Sequence, residues 1–221
     1  VAEKGVVWID LSVAGPAGHA SSATRDATAV AGLAKAITRL DALNDWYVTA
    51  PDDLAAFLGQ GHPGCRVAVS IGQVEAGTAR SMVAPRAVAA GDVRLPPGLS
   101  IDALRSRLDT ALEGTGVRYE LPRAWEANWT AVEHPLVRLI RANIQAVRGV
   151  PAELTVRHPA SDVMRWRSLG TPAVCYGPQP TFSAGIDDYA LEDDVLDCAK
   201  VYLLSALRFA TFAARSHGGT I

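Results

Sequence analysis

Hydrophobic and polar residues alternate in several stretches of the first half of the chain. Residues 6–13 are rich in β-branched side chains and partly alternate, 66–74 alternate, 87–95 are suited to pair with them, and 117–121 form a similar shorter run. Alternation with a period of two is typical of a strand that buries one face. The pattern therefore predicts four strands between residue 6 and residue 121.

Two stretches between these strands have the spacing of an amphipathic helix instead. Residues 27–40 carry apolar side chains three and four positions apart, and 101–112 do the same behind Ser100, a favourable N-cap. Gly114 and Gly116 end the second helix. The predicted order is therefore β-α-β-β-α-β, which is the ferredoxin-like split unit.

The composition of the chain changes after Pro122, and the pattern there is mixed. It predicts a helix over 135–147, a short strand near 153–156, a turn around Asp162, a strand over 173–176 and a long final helix over 192–214. A further short helix is expected over 52–58, and a frayed tail from residue 216. We thus expect an α/β (α+β) fold with a ferredoxin-like domain at 1–121 and a partial α/β domain at 122–221.

Composition narrows the possible functions. The 221 residues carry a formal net charge of -2 and no basic run, which argues against nucleic-acid binding. An apolar run of about 18 residues is absent, so we expect no membrane partner and a cytoplasmic protein. Three cysteines are an odd number and argue against a disulfide framework. Cys175 and Cys198 lie in apolar runs and are expected to be buried thiols.

Four short motifs follow one another along the chain. The motifs are EKGVVWIDLSVAGPAGHASSA, GTARSMVAPRAVAAGDVRLPPG, ASDVMRWRSLGTPAVCYGP and AVCYGPQPTFSAGIDDYALE, and the last two overlap. In this order they resemble the motifs of the M20 family of metallopeptidases and amidohydrolases, which includes acetylornithine deacetylase, succinyl-diaminopimelate desuccinylase, aminoacylase and carboxypeptidase G2. The resemblance covers residue 3 to about residue 209.

The resemblance implies a lid, or dimerisation, domain followed by the C-terminal half of a catalytic domain. It implies a homodimer through the lid, zinc in the intact enzyme, and hydrolysis of N-acyl amino acids or small peptides. His19 corresponds to the histidine that reaches into the neighbouring active site and donates a hydrogen bond to the developing oxyanion. Ser81, Asp162 and Arg167 correspond to substrate-side positions. The remaining ligands and the catalytic Glu precede the point where this chain begins, so alone it is expected to bind no zinc and to be inactive.

Several positions depart from the family pattern. Gly185 stands where the family has a zinc-binding His, and Ser81 where it has a substrate-side Asn. Ala23, Thr28 and Ala84 stand where the family has Pro, Asn and Pro. A second hypothesis therefore stays open: a degenerate, metal-free relative that serves as a dimerisation or small-molecule binding module, or that catalyses metal-independent chemistry.

For His19 the alternative is an ordinary histidine of a surface loop. For Arg167 the alternatives are a surface arginine or a structural ion pair with Asp162, and Arg165 is a shifted candidate for the same role. Asp92 and Arg94 share a strand face and are expected to pair structurally.

Overall fold

The computed structural model describes the backbone of residues 1–178 and 185–217 and the side chains up to residue 209. The chain divides into two compact units. The larger comprises Ala2–Asn128 with Val156–Ala160, and the smaller comprises Val1, Trp129–Thr155 and the chain from Ser161 onward. The domain boundary at 121/122 stays a prediction. Two parts of the chain lie outside the described residues: 179–184 in the polar loop after Pro178, and 218–221 in the tail.

The described strands are β1 (Ala2–Glu3), β2 (Gly5–Ala14), β3 (Gly18–His19), β4 (Ala68–Ala76), β5 (Met82–Val83), β6 (Arg86–Leu95), β7 (Arg118–Trp125), β8 (Asn128–Trp129) and β9 (Val156–Arg157). The α-helices are α1 (Ala29–Asp41), α2 (Ile101–Leu112), α3 (Pro135–Arg148), α4 (Asp162–Ser168) and α5 (Glu192–His217).

The larger unit is built on an antiparallel sheet of order β4-β6-β2-β7. Its four strands alternate with α1 and α2 in the predicted β-α-β-β-α-β order, so the ferredoxin-like prediction is confirmed. Two smaller groupings accompany this sheet. β1 lies between β8 and β9, parallel to β9, and β3 pairs with β5 as a two-stranded arm.

The core lies between this sheet and the two helices. Alternation along β2 turns Val7, Ile9, Leu11 and Val13 inward, and helical spacing turns apolar residues of both helices toward them. Each helix begins at a capping hydroxyl. Thr28 Oγ1 accepts from Ala31 N at 3.2 Å, and Ser100 Oγ accepts from Ala103 N at 3.1 Å. Local capping and one-sided burial together explain why these stretches become helices here.

The opposite face of the sheet carries paired polar and aromatic side chains. Arg94 donates two hydrogen bonds to Asp92, at 2.5 and 3.2 Å, which confirms the predicted structural pair. Beside it, the guanidinium of Arg123 lies 3.8 Å from the ring centre of Trp8 and 4.7 Å from that of Trp125. Such stacking holds an arginine in place without a carboxylate.

The smaller unit is helical in its described part. α3 and α5 pack together through apolar residues and a buried polar contact, in which Asn143 Nδ2 donates to Ser205 Oγ at 2.8 Å. α3 ends at Gly149, whose φ of 71° is the left-handed conformation favoured by glycine. Both helices match the prediction closely, although α5 extends to His217 and includes the start of the expected frayed tail.

Four local predictions were wrong. The 173–176 segment is not a strand: the backbone N–H and C=O of Ala173 both hydrogen-bond to the hydroxyl of Thr130 instead of a neighbouring strand. The expected turn at Asp162 is helix α4, because Ser161 Oγ caps it by accepting from Val163 N. Residues 52–58 form successive turns rather than a helix, and Cys175 is exposed, whereas Cys198 is buried.

Candidate functional site

The β3–β5 arm brings two predicted site residues together. His19 lies opposite Met82 in the arm, and Ala20 N donates to Ser81 O at 2.9 Å. His19 and Ser81 are therefore neighbours although they lie 62 positions apart in the sequence. Both side chains are exposed. The arm thus presents a histidine and a hydroxyl side by side at the surface of the larger unit.

Local hydrogen bonds fix the orientation of the His19 ring. Its Nδ1 accepts from Ser21 N at 3.3 Å and lies 2.8 Å from Ser21 Oγ, and Ser22 Oγ donates to His19 O at 2.7 Å. Because Nδ1 accepts a hydrogen bond from a backbone amide, the proton of the neutral ring resides on Nε2. The side chain therefore offers an outward hydrogen-bond donor to any group that approaches the arm.

A cleft of about 510 Å³ lies beside the arm. It is lined by Thr28, Thr78, Arg80 and Met82, together with Ala23 and Ala84. Three of these positions, Ala23, Thr28 and Ala84, are among those where the sequence departs from the family pattern described above. Three of the departures therefore lie in one cleft beside the arm that carries His19.

The other two predicted site residues lie in the smaller unit, on α4. Arg167 Nε donates to Ala173 O at 2.8 Å, and its side chain lines a cavity of about 180 Å³. Asp162 is exposed, and its carboxylate lies 3.7 Å from Arg165 Nε, so it forms an ion pair with the arginine one turn later on the helix. The structure therefore does not join Asp162 and Arg167 into one pair.

Two residues of this cavity were missed by sequence reasoning. His134 and Trp129 share the lining with Arg167 and Thr130. His134 Nδ1 accepts from Leu136 N at 3.1 Å at the start of α3, so its Nε2 is again the protonated nitrogen of the neutral ring. Neither residue stands in a recognisable motif, and only the fold places them beside the arginine. The cavity combines a cation, a hydroxyl and an aromatic ring.

The described residues do not supply a zinc site. Within residues 1–178 and 185–217, no three His, Cys, Asp or Glu side chains converge as metal ligands. Gly185 lies exposed in a bend, and it has no side-chain atom that could bind a metal ion. Two acidic residues at the start of α5 are paired already: Asp194 with Arg148 at 2.8 Å and Asp197 with Lys200 at 2.9 Å. In the same part of the chain no helix is long and apolar enough to cross a bilayer.

Comparison with known proteins adds a family match. Residues 1–120 match the M20_dimer family model, described as the peptidase dimerisation domain. A search of curated protein sequences found no match.

Several solved structures resemble the chain in fold. The di-peptidase Dug1p from Saccharomyces cerevisiae superposes with a TM-score of 0.71 at 12% identity, over 92% of this chain and 54% of the dipeptidase. An M20 family metallo-carboxypeptidase from Sulfolobus solfataricus gives 0.65 at 17%, over 93% and 58%. A hydantoinase/carbamoylase family amidase from Burkholderia ambifaria gives 0.63 at 20%, over 93% and 47%. The chain thus spans about half the length of the structures it matches.

Proposed function

Because this chain belongs to the M20 peptidase family through its dimerisation domain, we propose that it is the lid and C-terminal catalytic part of an amide-hydrolysing enzyme. The proposed substrates are N-acyl amino acids or small peptides. The names of the fold relatives, a dipeptidase, a metallo-carboxypeptidase and an amidase, are in keeping with that class. The observation that carries the proposal is the β3–β5 arm, which holds an oriented histidine at the surface.

In this proposal His19 is the oxyanion donor for the neighbouring subunit. Amide hydrolysis places negative charge on the carbonyl oxygen as the tetrahedral intermediate forms, and a preorganised N–H lowers the energy of that state. The backbone amide of Ser21 holds Nδ1 as an acceptor, so Nε2–H faces outward. Exposure of the side chain on a projecting arm suits a residue that serves another subunit better than one that serves its own core.

The same family match supports a homodimer, and the sheet offers one edge for it. β4 and β7 are the two edges of the four-stranded sheet. β7 contains Pro122, which has no N–H to donate to an added strand. β4 has no proline, and its outer half is exposed, with Val74 60% exposed. Unpaired edge strands of this kind are templates for further pairing, so we assign β4 as the dimer edge.

The variant Val74→Lys is expected to dissociate the dimer, because each subunit would bring a charge into the apolar part of the interface. The dimer dissociation constant should rise about tenfold or more, which corresponds to about 1.4 kcal/mol. Sedimentation equilibrium measures it. Val150→Lys is the matched control, since Val150 is 55% exposed but lies in the smaller unit. Equal dimerisation of both variants and the parent would rule out β4.

The zinc of the proposed enzyme does not fit the residues of this chain that the structure describes. The described donors do not converge, and Gly185 stands at the position that the family resemblance assigns to a ligand. We therefore propose that zinc ligands would belong to the part of the relatives that this chain does not span, and that this chain alone is inactive. The degenerate, metal-free module is the second candidate, and the altered residues in the His19 cleft favour it.

Restoring the missing imidazole separates these candidates. In the longer protein, Gly185→His is expected to raise the zinc content per subunit if the other ligands are intact, because zinc needs three or four converging donors. Metal analysis after dialysis without chelator measures it. Gly177→His is the control, since a side chain there meets open space. Zinc content equal to that of the parent would reject Gly185 as the lost ligand position and favour the degenerate module.

A further inference from the structure

Three distant segments of the larger unit meet around Lys4. Lys4 N donates to Arg157 O at 3.0 Å, which ties it to β9. Lys4 Nζ donates to Arg66 O at 2.6 Å, which ties it to the turn at residues 62–66. That turn packs closely on β9, because a Cβ at Gly64 would lie 3.1 Å from Val156 Cβ. The backbone thus fixes the strand ends and the turn against one another.

The side chains that this arrangement collects are mainly cationic. Burial, and next the positive charge of Arg66, lower the pKa of Lys4 to about 8, while Cys65 opposes the shift. Desolvation lowers the pKa of His158, and the charges of Lys4, Arg66 and His62 lower it further. Like charges held together in this way disfavour one another's charged forms. The cluster of Lys4, His62, Arg66 and His158 is called the cationic cluster below.

Glu3, the residue before Lys4 in the sequence, already has a partner. The Glu3 side chain is fully buried, and its carboxylate lies 3.6 Å from the Arg157 guanidinium. The opposite charges of these two residues offset each other. The Cys65 thiol is buried, and desolvation raises its pKa, so it is neutral at pH 7. Lys4, with a pKa of about 8, and the Arg66 guanidinium therefore keep the cationic cluster positively charged at that pH. An anion bound from solution would relieve the repulsion between these positive charges.

We propose that the cationic cluster binds a tetrahedral oxyanion of charge about -2, inorganic phosphate or a phosphate monoester. The half-exposed Arg66 guanidinium provides the forked donors suited to phosphate oxygens. His62 Nδ1 accepts from Gly64 N at 2.9 Å, so its Nε2–H is a second donor, and His158 lies at the surface beside it. Lys4, only 2% exposed, supplies charge from beneath the site without direct contact. This site does not depend on the proposed hydrolase function.

The proposal predicts a defined pH dependence. A bound anion favours protonated Lys4, whose pKa of about 8 lies below its ordinary value, so binding weakens as the pH rises through about 8. A phosphate monoester is largely dianionic above about pH 6. Its affinity should therefore be highest near neutral pH. The other groups around Lys4 are the Arg66 guanidinium, the Cys65 thiol, the Glu3–Arg157 pair and the two histidines.

Calorimetric titration of the full chain with inorganic phosphate, in a chloride buffer of constant ionic strength, tests the site. Saturable binding near pH 7 is expected, with clearly weaker binding near pH 9.5. Arg66→Met keeps the backbone carbonyl that Lys4 uses and should weaken binding about tenfold or more, the effect of losing a charge-assisted contact. Arg118→Met is the matched control, since Arg118 lies opposite Ser12 in the four-stranded sheet and outside the cationic cluster, and it should bind like the parent.

Two further arms identify the ligand and complete the test. Methyl phosphate binding tighter than inorganic phosphate would assign a phosphate monoester, and the reverse order would assign the free ion. Acetate binding as tightly as phosphate would overturn the proposal, because the site would then recognise a single charge. Undetectable phosphate binding near pH 7, or equal loss of binding in Arg66→Met and Arg118→Met, would overturn it as well.

Discussion

In the proposed amide-hydrolysing enzyme, His19→Ala is expected to lower kcat about 100- to 1,000-fold and to leave KM nearly unchanged. Loss of one preorganised oxyanion donor has an effect of this size, since the hydrogen bond strengthens only as charge develops. The His19 ring is oriented through Nδ1, so the variant removes a donor that the fold has already positioned. Steady-state kinetics on an N-acyl amino acid or dipeptide measures both constants.

Two controls make this result specific to the ring. Ser21→Ala removes the hydroxyl near Nδ1 but keeps the backbone amide that orients it, so its activity should stay close to that of the parent. Mixing His19→Ala subunits with subunits disabled in the part of the enzyme outside this chain should restore some activity. Recovery is expected because each mixed dimer would contain one intact site with His19 supplied by its partner. A kcat for His19→Ala within twofold of the parent, or no recovery on mixing, would contradict the assignment.

Leu104→Ala is expected to lower the free energy of unfolding of the larger unit by about 2–5 kcal/mol. Leu104 on α2 is fully buried in the core between the sheet and the helices, and the truncated side chain would leave a cavity that the packed neighbours fill only in part. Urea unfolding followed by tryptophan fluorescence measures the change, with Trp46 packed against this core as a local probe.

An exposed apolar residue of the same unit provides the comparison. Val30 on α1 is 47% exposed, so Val30→Ala should change the free energy of unfolding by no more than about 0.5 kcal/mol. A similar small effect for Leu104→Ala would mean that the space between α2 and the sheet is not closely packed. The contrast between the two variants therefore tests the core directly, independently of any activity.

The sequence predicted the larger unit well because its elements are each buried on one side. Alternation along β2 and helical spacing along α1 and α2 are local patterns, and they survive in the structure because one face of each element meets the core. The capping hydroxyl of Ser100 marked the start of α2 correctly in the same local way. The paired Asp92 and Arg94 followed from strand geometry alone.

Other features depend on contacts between distant residues and left no such pattern. The apolar 173–176 run has no periodicity, and the backbone of its first residue, Ala173, hydrogen-bonds to the Thr130 hydroxyl. The motifs singled out His19 and Ser81 separately, but only the β3–β5 pairing makes them neighbours. Likewise, Lys4, Arg66 and His158 belong to three separate segments, and nothing in their spacing predicts the cationic cluster that the strands assemble.

The close approach at Gly5 bears on whether this domain can be moved from one protein chain into another. A Cβ at Gly5 would lie 2.4 Å from Trp125 O, so the chain enters the four-stranded sheet at the point where it leaves it. Adjacent ends let a domain be inserted into, or excised from, a host chain without stretching either. The ferredoxin-like domain should therefore be insertable into other proteins. Residues 5–125 should be expressible alone, and a host protein needs only two neighbouring attachment points to accept them.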